Sequence, residues 1–252
     1  MHSAKGALVE FGLMFLPGVP AYLWLWPNVT ADDRTWIQVI VYLYFLAGCV
    51  IIGFRRWTPD QLGLNAQGLG VSLGCGTATI LMMIAGRFAI NLALEPLPIT
   101  LDRMVFDIVF YIGLVGGVEE FLFRGLLYRI LLELRGDRLA IWGSALAFAI
   151  YHIGGQGILG GFGTGVLGVM FGAIRWRAGG IAGLVVTHGI YDIIAVEGWP
   201  NLTVNHALDI QVVHPELALI ADGLLFGMLI YLWKLHPLIG HRGHRGLTHT
   251  AE

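Results

Sequence analysis

Two adjacent carboxylates and an arginine interrupt an apolar stretch that runs from about Met104 to Leu132. They are Glu119, Glu120 and Arg124, in the segment Gly-Val-Glu-Glu-Phe-Leu-Phe-Arg-Gly. A charged side chain at the centre of a bilayer costs roughly 2.5–3.5 kcal/mol on insertion scales, so such charges need partners and a function. In a helix, Glu120 and Arg124 share one face and can form an ion pair.

Glu119 is the carboxylate to which we assign chemistry. A helix turns by about 100° per residue, so Glu119 points away from Glu120 and can face a cavity formed with other helices. Burial disfavours the charged form of a carboxylate, and a base that is poised near neutral pH can take a proton from water. We therefore predict that Glu119 reacts and that the Glu120–Arg124 pair supports it.

Two histidines lie inside apolar helical segments. His152 follows Phe148 by four residues, and Asp192 follows His188 by four residues, so each pair shares a helical face. A lone buried histidine is more often a packing residue, but polar groups in lipid turn inward and find one another. We expect both histidines, Asp192 and Glu119 to converge on one buried site.

Such a site suits hydrolysis. Glu119 can activate a water molecule that His152 holds or with which it shares the proton. His188 and Asp192 can stabilise charge on a carbonyl oxygen if they act as donors, which requires a protonated Asp192. Alternatively, Asp192 orients His188.

A metal-dependent reaction is the open alternative. The same four side chains are acceptable zinc ligands, and sequence alone does not separate activation by carboxylate from activation by metal. They are Glu119, His152, His188 and Asp192. The His-Glu-x-x-His pattern of the commonest metalloprotease helix is missing from the sequence.

The composition predicts the elements that position these residues. The 252-residue chain is 56% hydrophobic and 13% charged, with a mean hydropathy of +0.73, whereas soluble domains carry about 25% charged residues. This predicts an all-α, polytopic membrane helix bundle over residues 1–252 as a single domain. The net charge of −2 gives no indication of a nucleic-acid partner.

Apolar segments separated by polar or proline-containing loops predict about eight transmembrane helices. They run from about Gly6 to Trp26, Thr35 to Phe54, Ala66 to Leu94, Leu101 to Leu134, Leu139 to Ile153, Gly157 to Trp176, Gly180 to Val196 and Pro215 to Leu235. Most cations of the loops fall on one side of this arrangement, which places both termini in the cytoplasm by the positive-inside rule. We expect the chain in the inner or plasma membrane. Glycines at four-residue spacing in the sixth helix predict close helix packing.

The three motifs together resemble the CPBP family, which comprises CAAX prenyl protease type II-like and bacteriocin-processing intramembrane proteases. They are Glu119-Glu120-x-x-x-Arg124, Phe148-x-x-x-His152 and His188-x-x-x-Asp192, in the family's order. The segment Leu62-Gly63-Leu64 is similar as well, so the resemblance covers about Pro59 to Asp192. It implies an eight-helix-type membrane bundle whose catalytic core lies at about 59–196.

The resemblance implies hydrolysis of a peptide bond in a membrane-associated or lipid-modified protein or peptide. By motif position, Glu119 and His152 would activate water. The family has been described both as metalloproteases and as glutamate-type proteases, and we favour the glutamate type, which requires no cofactor, over the zinc alternative. His188 and Asp192 would form the oxyanion site, supported by Glu120, Arg124 and Phe148. The last motif position is often asparagine in the family and is Asp192 here. This departure leaves the oxyanion role of Asp192 open and favours the metal alternative slightly.

Two other functions fit the same residues. A membrane scaffold or immunity protein could retain the motifs as a structural polar network. A proton-coupled carrier could use buried carboxylates and histidines as a relay, but it should show inverted repeats, which the sequence lacks. For the protease, the expected partners are a membrane protein or peptide substrate and the lipid bilayer.

Overall fold

A computed structural model describes residues 3–28, 31–88 and 100–195, and all regular structure in these ranges is helical. The helices are α1 (Ala4–Asn28), α2 (Ala31–Phe54), α3 (Leu69–Phe88), α4 (Leu101–Asp107), α5 (Gly117–Glu120), α6 (Tyr128–Arg135), α7 (Asp137–Ala178) and α8 (Ala182–Ala195). The all-α prediction is confirmed for this part of the chain. The helix predicted from Pro215 to Leu235 lies outside it.

Residues 101–135 form one helical run that contains two π-helical segments. Ile108–Gly116 joins α4 to α5, and Phe121–Leu127 joins α5 to α6. The sequence predicts the extent of this run but not its π-helical turns, which are rare in proteins and frequent at functional sites. The single α-helical turn between them carries Glu119 and Glu120.

α7 is a helical hairpin rather than one rod. Gly157 has φ 72° and ψ 179°, which no helix allows, and it separates two arms. The residues that face each other along the arms are Gly161 and Ile153, Gly165 and Ala149, Gly168 and Ala145, and Gly172 and Ile141. A β-carbon at Gly168 would lie 3.0 Å from the α-carbon of Ala145. The close packing predicted from the glycine spacing is therefore confirmed.

The Leu62-Gly63-Leu64 segment is hydrogen-bonded to the residue that precedes α8. The Gly63 carbonyl accepts a hydrogen bond from the Ile181 amide at 2.9 Å. Gly63 has φ 78°, and a β-carbon there would lie 2.6 Å from the guanidinium carbon of Arg175. Arg175 in turn donates from Nε to the Arg124 carbonyl at 3.2 Å. This loop thus links the end of α7 and the helical run of residues 101–135 to α8, the helix that carries His188.

α8 lies against α3 on one side and the first π-helical segment on the other, and glycines allow both contacts. A β-carbon at Gly116 would lie 2.7 Å from the Val185 carbonyl oxygen. One at Gly76 would lie 2.5 Å from the Thr187 hydroxyl oxygen. Because backbones approach this closely only where side chains are small, these glycines set the depth at which α8 enters the bundle.

The outer surface of the helices is apolar. Leu13 and Trp36 are each 70% exposed, and Ile158 is 79% exposed. Within the described residues, two helices are long and apolar enough to cross a membrane, Trp36–Phe54 and Gln156–Ala178. Leu69–Leu81 and Ala182–Ile194 are shorter apolar helices. These features fit a membrane protein, while the number of eight spans stays a prediction.

Candidate active site

The structure brings together the four side chains to which the sequence assigns chemistry. Glu119 comes from α5, His152 from the first arm of α7, and His188 and Asp192 from α8. The Glu119 Oε2 atom lies 3.7 Å from Nε2 of His152 and 3.7 Å from Nε2 of His188. Nε2 of His188 lies 3.7 Å from Oδ2 of Asp192. Three helices therefore meet around one carboxylate oxygen.

Glu120 and Arg124 form the ion pair that their spacing predicts. Arg124 Nη1 lies 3.0 Å from Glu120 Oε1, and both side chains are fully buried. The same oxygen lies 2.8 Å from Nδ1 of His188. Because an ionised carboxylate only accepts hydrogen bonds, Nδ1 of His188 carries a hydrogen. Glu120 thus holds the ring of His188 with its Nε2 atom turned toward Glu119 and Asp192.

Two phenylalanine rings enclose the Arg124 guanidinium. Its central carbon lies 4.2 Å from the centroid of the Phe148 ring and 5.4 Å from that of Phe171. A cation over an aromatic face contributes about 2 kcal/mol or more when desolvated. The Phe148 ring also contacts His152, with centroids 4.4 Å apart. The Phe148 ring therefore contacts both Arg124 and His152. Phe171 belongs to none of the three sequence motifs, so the sequence did not indicate its contact with Arg124.

The contacts of the His152 ring show which of its two nitrogens carries the hydrogen in the neutral form. Nδ1 of His152 lies 2.9 Å from the Phe148 carbonyl oxygen. A carbonyl oxygen only accepts, so Nδ1 is the donor. In the neutral ring, Nε2 then carries a lone pair, and this is the atom that faces Glu119.

The contiguous stretch that holds all three motifs also matches a known family. Residues 102–194 match the family model described as type II CAAX prenyl endopeptidase Rce1-like. This stretch, the Rce1-like segment, is similar to that family. The match begins in α4 and ends in α8, and it confirms the resemblance inferred from the motifs. No curated protein and no solved structure shows a significant match to the chain.

One further contact to Glu119 comes from outside the Rce1-like segment. The Tyr42 hydroxyl on α2 donates to Glu119 Oε1 at 2.6 Å, in the range of charge-assisted hydrogen bonds. Tyr42 is 3% exposed and accepts a hydrogen bond from Gln38 Nε2 at 3.3 Å. Sequence reasoning missed Tyr42. The sequence pattern that could have indicated Tyr42 is its four-residue spacing from Gln38, which places two polar side chains on one face of an apolar helix.

The second oxygen of Glu119 differs from the first. Among the described residues, Oε2 is buried and has no hydrogen-bond partner. The 3.7 Å that separates it from each imidazole Nε2 is too long for a direct hydrogen bond and suits one bridging water molecule. The Glu119 side chain is 3% exposed, whereas those of His152 and Asp192 are 16% exposed. The site therefore opens at the edge formed by His152 and Asp192.

A metal ion would need three or more ligating side chains whose donor atoms point to one position. Across residues 3–28, 31–88 and 100–195, no group of three or more His, Cys, Asp or Glu side chains is arranged to hold one.

Proposed function

We propose that this chain is an intramembrane endopeptidase that hydrolyses a peptide bond of a membrane-associated or lipid-modified protein or peptide. The Rce1-like match supports protease activity in general. The observation that carries the mechanism is the Glu119 Oε2 atom, buried without a partner among the described residues. It lies 3.7 Å from two imidazole nitrogens.

Glu119 and His152 activate the water in this proposal. A water molecule between Glu119 Oε2 and His152 Nε2 donates one hydrogen to each acceptor, so its free lone pair is available for attack. As its oxygen bonds to the scissile carbonyl carbon, one proton passes to Glu119. The carbonyl π electrons move to the carbonyl oxygen. The Tyr42 hydrogen bond occupies Oε1 and leaves Oε2 as the basic atom.

His188 stabilises the resulting oxyanion. Since its Nδ1 hydrogen is directed to Glu120, its Nε2 atom carries a hydrogen only when the ring is an imidazolium. The carboxylates of Glu119 and Asp192, each 3.7 Å from Nε2, attract a positive charge on this ring. The Nε2–H group can then donate to the oxyanion. Asp192 adds a second donor when it is protonated and otherwise orients His188.

Collapse of the tetrahedral intermediate completes the reaction. The carbonyl double bond re-forms, the carbon–nitrogen bond breaks, and the departing nitrogen takes the proton that Glu119 accepted. The products are a carboxylic acid and an amine, and Glu119 returns to its ionised form. Each atom of the water is then accounted for, and no co-reactant is needed.

The test compares the termini of membrane proteins by mass spectrometry in cells that carry wild type or Glu119→Gln at matched expression. We expect cleaved termini with wild type only, because an amide cannot accept the proton from water. Glu133→Gln is the control, since Glu133 pairs with Arg129 outside the site and should leave the termini unchanged. Identical termini with folded wild type and folded Glu119→Gln would refute hydrolysis at this site and support the scaffold hypothesis.

A further inference from the structure

A cavity lined by none of the candidate active-site residues lies between the start of α1 and the turn that joins α6 to α7. Its volume is about 750 Å³. Leucines and Trp142 form its walls, and Lys5, Arg135 and Arg138 stand around it. An apolar cavity with three cations is suited to a ligand that has both an apolar part and an anionic part.

These three cations are available for a ligand. Among the described residues, Lys5, Arg135 and Arg138 form no ion pair. The neighbouring acids already have partners. Glu10 pairs with Arg55 at 2.8 Å and with Arg56 at 2.5 Å, and Glu133 pairs with Arg129 at 2.5 Å. Asp137 is part of the same turn but does not line the cavity.

The cavity lies at the end of the bundle where basic residues collect. The start of α1 meets the end of α2 there, through the Glu10 ion pairs. The end of α2 meets α6 through a hydrogen bond of 2.7 Å from Trp57 Nε1 to Glu133. An end of a membrane bundle that is rich in Lys and Arg faces the membrane surface where anionic headgroups are found.

We propose that this cavity binds an anionic phospholipid. Arginine and lysine side chains bind phosphate oxygens, and arginine does so through two parallel hydrogen bonds. Leu8 and Trp142 are 38% and 49% exposed beside the cavity and offer an apolar wall to an acyl chain. Tryptophan is also enriched at the headgroup level of membranes.

Two other occupants lack the required charge. Residues 236–252 of this chain contain two arginines and one acidic residue, Glu252, so this segment does not complement three cations. A second copy of the chain would present the same basic end, and like charges repel. An anionic headgroup at the membrane surface has the charge that complements the three cations.

The experiment measures the binding of phosphatidylglycerol and phosphatidylcholine to the full-length chain in detergent, by native mass spectrometry with titrated lipid. Wild type should bind phosphatidylglycerol more tightly than phosphatidylcholine. Because each Lys or Arg near a membrane surface contributes about 1 kcal/mol of attraction, Arg135→Gln and Arg138→Gln should each weaken phosphatidylglycerol binding about fivefold. Phosphatidylcholine binding should change little.

Arg177→Gln is the matched control, because Arg177 is exposed and does not line the cavity. It should bind phosphatidylglycerol like wild type. Equal binding of the two lipids by wild type would overturn the proposal. So would a loss in Arg177→Gln equal to that in Arg135→Gln, since attraction would then be general to this end. Arg135 and Arg138 are exposed, so their variants should fold, and the readout does not depend on protease activity.

Discussion

Replacing Tyr42 with phenylalanine removes one hydroxyl from the site and leaves the ring in its packing. The lost hydrogen bond is the 2.6 Å contact to Glu119 Oε1. Hydrogen bonds to charged groups contribute about 1.5–3 kcal/mol, so kcat should fall by about 10- to 150-fold if the whole bond acts in the transition state. KM should change little, because the hydroxyl contacts the base and not the substrate.

The physical reason is the orientation of the carboxylate. With Oε1 held by Tyr42, Oε2 is the atom that faces His152 and His188, each at 3.7 Å. Without this hydrogen bond, Glu119 can rotate and place the basic oxygen away from the water. A misplacement of about 1 Å in such a site can cost 10²-fold in rate.

The assay uses the purified chain in proteoliposomes with a fluorogenic peptide that contains the cleavage site identified by mass spectrometry. Tyr44→Phe is the matched control. It removes a hydroxyl from the same helix, but that hydroxyl donates to the Met14 carbonyl at 3.0 Å and not to Glu119. A folded Tyr42→Phe variant whose kcat is within twofold of wild type would refute this reasoning, as would an increase in KM at unchanged kcat.

Three further predictions follow from the same contacts. In the same peptide assay, Asp192→Asn should lower kcat by no more than about tenfold, because the amide offers its own donor to the oxyanion but gives up part of the attraction that holds the positive charge on His188; a larger loss would show that the carboxylate itself is required. Arg124→Met should destabilise the chain by about 3–5 kcal/mol, because it removes the cation that pairs with the buried Glu120 and leaves that carboxylate only its contact to His188, whereas Arg129→Met should cost at most about 1 kcal/mol. Denaturant unfolding in detergent measures both changes, and equal values would contradict the buried-pair explanation. Treatment with 1,10-phenanthroline should leave kcat unchanged; inhibition that added zinc reverses would instead support the metal alternative.

The sequence alone determined the local parts of the site. A spacing of four residues brings Glu120 to Arg124 within one helical run, and the structure has this pair at 3.0 Å. The same spacing places His188 and Asp192 on one face of α8. The glycine spacing of the sixth predicted helix likewise indicated close packing. Such features depend on helical periodicity and on the exclusion of charge from lipid, which both act over a few residues.

Only the tertiary structure decided how these parts meet. The Tyr42–Glu119 hydrogen bond joins residues 77 positions apart, and the His188–Glu120 contact joins residues 68 positions apart. The π-helical turns that flank Glu119 and Glu120 accompany the close approach of α8 at Gly116. No local sequence pattern specifies these long-range contacts or the π-helical turns. Helical periodicity indicates which side chains share a face of one helix, but not which other helix packs against that face. The packing of the helices against one another determines these contacts. It places Oε2 of Glu119 at 3.7 Å from the Nε2 atoms of both His152 and His188.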